Sequence, residues 1–273
     1  MSHPIGLQGV ANFRDVGQTV NQYLGRKFLR EGVLLRSARP DDASSEDKAL
    51  IKDDLGIRTI IDLRTRTELI KHAQRFRQDS QTSSSVLSSW FSPPPSLPHI
   101  NGIKYEEIKV TGRSFERHLL RQLTWSSFFK VILLFILGYR IHAVRIIATE
   151  VMLPRGLLGL GVDTVDHSGA EIQAALSLYT CLIIILILMI LGVPLDAIEH
   201  DYSLTDTLEA EREERLAEVR EIGLTDEWVA TSPIMISGLQ KHLHLKYGGL
   251  EAYLDGVGFD ADQRAVLREL LMH

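Results

Sequence analysis

The chain has 273 residues, of which 45% are apolar and 24% are charged, and its formal net charge is −5. This composition excludes an intrinsically disordered polyelectrolyte, and the slight acidic excess gives no reason to expect a nucleic-acid partner. The single cysteine, Cys181, excludes an intrachain disulfide and a cysteine-rich zinc site, and it is typical of a reducing compartment.

The first third of the chain predicts an α/β arrangement. No basic and apolar leader pattern follows Met1, so we expect a cytoplasmic protein. Residues 34–36 form a short candidate strand, and Ser44 opens a helix that ends at Gly56. The β-branched run at 57–63 then predicts a strand with apolar residues on both faces, as in a central parallel strand covered by helices.

The composition changes sharply at residues 78–98, which contain eight serines and four prolines. Such a segment buries too little apolar surface to offset its ordering entropy, so it predicts a flexible surface insert. A further strand is expected at 105–110. We therefore expect a single domain that spans residues 1–273 and carries this insert.

The second half of the chain predicts helices. Apolar residues recur at helical spacing between 114 and 150, and the pair Ser168 and Glu171 matches a capping box that begins another helix. A charge-rich helix is expected at 209–221, and short helices at 237–245 and 261–271 complete a helical C-terminal part.

One long apolar segment leaves two interpretations open. Residues 172–195 include no charged side chain, and the run at 182–191 consists of leucine, isoleucine and methionine alone. The segment is long enough for a membrane-spanning helix, but a helix buried in the domain core would have the same composition. We expect the buried helix and no membrane partner.

Several strings, in this order along the chain, resemble the atypical tyrosine-phosphatase family of bacteria and fungi. They are Asn-Phe-Arg-Asp at 12–15, Leu-Arg-Ser-Ala at 35–38, the segment 55–64 ending in Asp-Leu-Arg, and the segment 191–205 containing Asp-Tyr-Ser-Leu-Thr. The resemblance implies an α/β fold with a mainly parallel sheet flanked by helices. It also implies hydrolysis of a phosphorylated protein or a small phosphate monoester through a cysteine phosphoenzyme, without a metal or an organic cofactor.

The chain departs from this family at the element that performs the chemistry. The family uses a His-Cys-x5-Arg loop, whereas here Thr180 precedes Cys181 and Ile187 stands at the arginine position. No lysine or arginine occurs between Arg155 and Arg212. Because both flanks match the family, we expect that the central catalytic strand and its loop are missing, either in a real isoform or through an error in the gene model.

Three functions are compatible with this pattern. The first is a protein tyrosine phosphatase whose catalysis is impaired by the missing loop. The second is a non-catalytic pseudophosphatase that serves as a binding scaffold for phosphorylated partners. The third is a membrane-anchored protein that uses 172–195 as its span.

Five residues are the candidates for the chemistry that the resemblance implies. Asp62 is the candidate for acid–base or orienting duty, and Cys181 is the only candidate nucleophile, although it lacks the partner arginine. Arg14, Arg36 and Arg64 are candidate phosphate-binding residues. For Arg14 and Arg36 the alternative is a structural network of buried polar groups, which the cost of burying an unpaired charge favours.

Two groups of residues resemble metal ligands, but neither has a convincing spacing. His242 and His244 are two positions apart, so on a helix they point in different directions and are expected to be surface histidines. Asp163, Asp166 and His167 precede a predicted helix and suit a polar turn. We expect no metal site.

Overall fold

The computed structural model describes residues 7, 9–38, 40, 43–62, 99–107, 112–176, 181–207 and 209–273. The chain divides into two compact units. The smaller unit comprises Met1–Ala11 and Ser37–Lys109, and the larger unit comprises Asn12–Arg36 and Val110–His273. The predicted insert at 78–98 and the candidate Arg64 lie outside the described residues.

The smaller unit contains a helix and a pair of parallel strands. Its elements are helix α2 (Ser45–Ala49), continued by a π-helical turn (Leu50–Asp54), strand β3 (Thr59–Asp62) and strand β4 (Lys104–Glu107). The parallel pairing places Thr59 opposite Lys104 and Asp62 opposite Glu107. Both strands lie where the sequence predicts them.

Local chemistry fixes both ends of the helical segment before β3. The Ser44 side chain accepts the Asp47 N–H at 3.0 Å, and the Asp47 carboxylate accepts the Ser44 N–H at 3.1 Å, which completes a capping box. At the other end Gly56 adopts a left-handed φ of 63°, the conformation that favours glycine. The predicted start and stop of this helix are therefore confirmed.

Strand β3 is less covered than the sequence predicts. Thr59 is exposed and the three residues after it are only half-buried, whereas a central strand covered by helices would be buried on both faces.

The larger unit is almost entirely helical, with one short antiparallel pair of strands. The strands are β1 (Arg14–Asp15) and β2 (Leu35–Arg36), with Arg14 opposite Arg36. The helices, in chain order, are α1 (Val16–Leu24), α3 (Arg113–Arg121), α4 (Trp125–Ile136), α5 (Arg140–Ile147), α6 (Leu153–His167), α7 (Gly169–Leu176), α8 (Cys181–Ile190), α9 (Leu195–Ser203), α10 (Glu209–Glu221), α11 (Met235–Tyr247), α12 (Leu250–Val257) and α13 (Ala261–Leu271). The three predicted C-terminal helices correspond to α10, α11 and α13.

Helix α8 lies at the centre of the larger unit. All six residues from 183 to 188 are at most 3% exposed, and helices α7, α9 and α12 pack against α8. A helix that is apolar on every side is stable in water only when it is surrounded in this way. The described part of the long apolar segment is therefore core helix.

The apolar segment 172–195 contains two described helices. Helix α7 ends at Leu176, α8 begins at Cys181, and residues 177–180 lie outside the described part. Among the residues that the structure describes, no helix has both the length and the apolar character needed to cross a membrane.

The predicted capping box at Ser168 is wrong in its chemistry, although a helix does begin at Gly169. The Ser168 hydroxyl is buried and makes no hydrogen bond to any described residue. Asp163, Asp166 and His167 lie on helix α6 and not in a polar turn. These residues are held on α6 because its buried side, including Val165, belongs to the core.

Candidate functional site

Cys181, the only cysteine, is the first residue of helix α8. Ile187, which stands six residues later, is on the same helix and fully buried. A loop that binds phosphate turns consecutive backbone N–H groups toward one anion, whereas the N–H groups inside a helix bond to carbonyls four residues back. The segment that would have to form the phosphate loop is therefore helical backbone.

The side chains of this segment are equally unsuited to an anion. Leucine and isoleucine occupy all five positions between Cys181 and Ile187, and α8 carries no charged residue. Burying a phosphate dianion among such side chains would cost several kcal/mol or more, in the absence of a partner charge. No side chain of α8 carries a charge that could pair with a transferring phosphoryl group.

A polar cluster, which we call the Asp201 cluster, joins three of the strings singled out in the sequence. The Arg14 Nε donates to Asp201 Oδ1 at 3.0 Å, and the Arg36 Nη1 donates to Asp201 Oδ2 at 2.7 Å. The Asp201 side chain is 2% exposed, against 13% for Arg14 and 8% for Arg36. One buried carboxylate thus pairs with two guanidinium groups.

Further hydrogen bonds hold Arg14 within the cluster. Its Nη2 donates to the Asp201 carbonyl at 2.7 Å and to the Thr205 hydroxyl at 3.1 Å, while its Nη1 donates to the Asn12 side chain. The Arg36 Nη2 also reaches the Thr205 hydroxyl, at 3.4 Å. Asn12 has a left-handed φ of 54°, which asparagine tolerates better than most residues.

The contacts of the Asp201 cluster are those expected of a structural network, and the phosphate-binding role of Arg14 and Arg36 remains a prediction. Both arginines are directed at Asp201 and Thr205, so a phosphate monoester would have to displace a buried carboxylate to reach them. The sequence singled out both arginines but not their partner. The detectable signal for Asp201 was its place in the Asp-Tyr-Ser-Leu-Thr string, since a buried acid is needed wherever two arginines are buried.

Asp15, the residue after Arg14, performs a different structural task. Its carboxylate accepts the N–H groups of Gly17 at 2.9 Å and Gln18 at 3.3 Å, which caps helix α1, and also the N–H of Gly32. Burial raises the pKa of the Asp15 carboxyl, and the three N–H donors oppose that rise in part. The side chain therefore ties the start of α1 to the loop before β2.

Asp62 is the last residue of β3, in the smaller unit, and pairs in register with Glu107. Arg64 lies outside the described residues. The acid–base role of Asp62 and the phosphate-binding role of Arg64 therefore remain predictions.

The histidines and aspartates considered as metal ligands are used in other contacts. Asp166 accepts a hydrogen bond from the Tyr247 hydroxyl at 2.7 Å, lies 2.8 Å from His242 Nε2 and pairs with Lys246 Nζ at 2.6 Å. Burial would raise the pKa of the Asp166 carboxyl, but the bonds from Lys246, His242 and Tyr247 outweigh burial and lower it. His242 is thus a half-buried contact between α6 and α11 rather than the surface histidine expected, whereas His244 is exposed as expected.

A second group of polar side chains surrounds Asp163, the other acidic residue of helix α6. Asp163 forms a two-pronged ion pair with Arg155, and the His118 ring stacks on His167 with 3.8 Å between centroids. Burial and the neighbouring His118 lower the pKa of His167. Among the described residues, no group of three histidine, cysteine or acidic side chains could hold a metal ion.

A cleft of about 410 Å³ lies between the end of α8 and helix α11. Its walls are mostly apolar, and Gln240 and His244 are the polar side chains among the residues that line it. A phosphate site needs converging N–H donors or guanidinium groups. This cleft does not have that chemistry.

The family of the chain follows from a comparison with known protein families. A family model described as "Tyrosine phosphatase family" matches residues 5–127 and 180–273, and leaves 128–179 unmatched. No curated protein matches the chain at a significant level. The match includes all the strings of the Asp201 cluster and resumes one residue before Cys181. The expectation that both flanks of the missing loop match the family is therefore wrong for the upstream flank, which lies in the unmatched residues 128–179. The chain belongs to the tyrosine phosphatase family.

Proposed function

We propose that this chain is a non-catalytic member of its family, a pseudophosphatase that acts by binding. The proposal rests on one observation: the segment after Cys181 is a buried apolar helix. The partners that the family suggests are phosphorylated proteins, and small phosphate monoesters are the simpler form of the same ligand.

The proposal follows from what cysteine-dependent hydrolysis requires. The thiolate must attack phosphorus while N–H groups and a guanidinium hold the phosphoryl oxygens. Here Ile187 occupies the guanidinium position, and the residues between it and Cys181 are apolar. Loss of one such hydrogen-bond donor to the developing charge typically costs a factor of ~10²–10³ in rate. In this chain the guanidinium is absent from the position where the family has it.

The boundaries of the family match locate the departure from the family in residues 128–179, which are unmatched and precede the cysteine. The second matched segment begins at residue 180, directly at the cysteine and the helix that follows. The two matched segments still contact each other, because Arg14 and Arg36 of the first pair with Asp201 of the second. Arg64, which is not part of the Asp201 cluster, is the remaining candidate for contacting the phosphate of a partner.

The test is turnover of a generic aryl phosphate by the purified full chain. We expect release of the aryl alcohol at the same rate as by the Cys181→Ser variant, and no faster than in buffer. Turnover by the unaltered chain that disappears in Cys181→Ser would overturn the proposal.

A separate measurement tests whether the chain binds phosphorylated partners. A phosphotyrosine peptide and the same peptide without phosphate are titrated against the chain in parallel. We expect the phosphorylated peptide to bind more tightly, and equal or absent binding of the two would contradict the assignment to phosphorylated partners.

A further inference from the structure

Helix α4 presents an apolar face to solvent. Trp125 is 80% exposed, Phe129 is 63% exposed and Ile136 is 75% exposed. The exposed apolar residues that share one side of α4 and its C-cap, which we call the α4 face, are Trp125, Phe129, Ile132, Leu133, Ile136 and Leu137, whereas Phe135, which is 38% exposed, lies off this side. They recur every three or four positions and so share one side of the helix. Contiguous apolar surface of this kind marks an interaction site.

The opposite side of α4 is firmly packed. Val131 is fully buried and forms a core cluster with Leu123, Ala143 and Val151, against which Phe128 and Leu134 also pack. The helix begins at a cap in which Thr124 accepts the Ser127 N–H. The α4 face is therefore held in place by an ordered helix and does not depend on a partner to form.

Basic residues outnumber acidic ones in the chain segment that carries the α4 face, although the chain as a whole is acidic. Between residues 113 and 150 there are six lysine and arginine residues and two acidic ones, Glu116 and Glu150, whereas the whole chain has a net charge of −5. Lys130 lies on α4 itself and Arg121 at the end of α3, and both are exposed. The local charge thus has the opposite sign to that of the protein.

We propose that the α4 face binds the surface of an anionic lipid bilayer, with the helix lying in the plane of the interface. Aromatic and aliphatic side chains enter the boundary between headgroups and acyl chains, and basic side chains pair with anionic headgroups. Helix α4 has 12 residues, about 18 Å of helix, which is too short to cross the ~30 Å apolar core of a bilayer.

The positive charge near the α4 face favours an anionic bilayer over a second copy of the chain as its binding partner. Two copies joined through the α4 face would bring their basic residues together, which opposes association, whereas an anionic bilayer attracts them. All of the face except Trp125 lies within the unmatched segment 128–179. The proposal is thus independent of family membership and of the proposed function.

The test is co-sedimentation of the full chain with phosphatidylcholine vesicles, and with vesicles that also contain phosphatidylserine. We expect binding to the anionic vesicles only. The double variant Trp125→Ser/Ile136→Ser should lower this binding by about tenfold or more, because it removes two large exposed apolar groups. Arg121→Glu/Lys130→Glu should lower it by about thirtyfold, because each of the two basic residues near the surface contributes ~1 kcal/mol.

The matched control is Leu245→Ser, which removes a 72% exposed leucine from helix α11 and should leave binding unchanged. Circular dichroism shows whether each variant keeps its helices. Equal binding to neutral vesicles, no binding to either kind, or no effect of the α4 substitutions would overturn the proposal. Self-association that depends on the α4 face, without vesicle binding, would overturn it in favour of a second copy.

Discussion

The Arg14 Nε lies 3.0 Å from the Asp201 carboxylate, and the two residues are 187 positions apart in the chain. Arg36 reaches the other oxygen of the same carboxylate at 2.7 Å. The Asp201 cluster therefore joins the β1–β2 pair to helix α9.

We predict that Asp201→Ala destabilises the protein by about 3–5 kcal/mol, because it leaves two buried guanidinium groups without their counter-charge. Denaturant unfolding of the purified variant measures this loss. Glu199→Ala is the control, since Glu199 is exposed on the same helix, and it should change the free energy of unfolding by less than ~0.5 kcal/mol. An Asp201→Ala loss as small as that of Glu199→Ala would show that the cluster is not structural.

The strings that meet in this cluster were visible in the sequence, but their meeting was not. Local patterns predict elements such as β3, α2 and α13, because capping residues and hydrophobic periodicity act within a few positions. The pairing of Arg14 with Asp201 depends on the tertiary fold, which no local pattern encodes. The same limit explains why the apolar helix α4 was recognised as a helix while its exposed face was not.

Two serines that look alike in the sequence should respond in opposite ways to alanine. Ser44 caps helix α2 through a complete capping box, so Ser44→Ala should cost about 1 kcal/mol. The Ser168 hydroxyl is buried and makes no hydrogen bond to the described residues, so Ser168→Ala should be neutral or stabilise by up to ~1 kcal/mol. Thermal or denaturant unfolding compares the two variants directly, and a cost at Ser168 equal to that at Ser44 would mean that Ser168 is a true cap.

The stacked histidines predict a dependence of stability on pH. The pKa of His167 is lowered by burial and by His118, while Asp163 and Asp166 oppose that shift and Lys246 adds to it. The unfolded chain therefore binds this proton more readily than the folded one. The resulting stability is complete above the unfolded pKa of ~6.5 and declines as the pH falls through that value.

We expect His167→Gln to reduce the loss of unfolding free energy between about pH 7 and pH 5, the range in which histidine titrates. His142→Gln is the control, since His142 is exposed on helix α5 and should leave the pH dependence as it is. Parallel curves for the unaltered chain and His167→Gln would contradict the assignment to His167.

The central claim is that the segment after the only cysteine is a buried helix and not a phosphate-binding loop. Amide hydrogen exchange of residues 185–191, whose N–H groups have partners within the helix, tests it most directly when measured by mass spectrometry with and without inorganic phosphate. We predict slow exchange that phosphate does not change, because these amides are bonded within α8 in the core. Fast exchange that slows when phosphate is added would contradict the account.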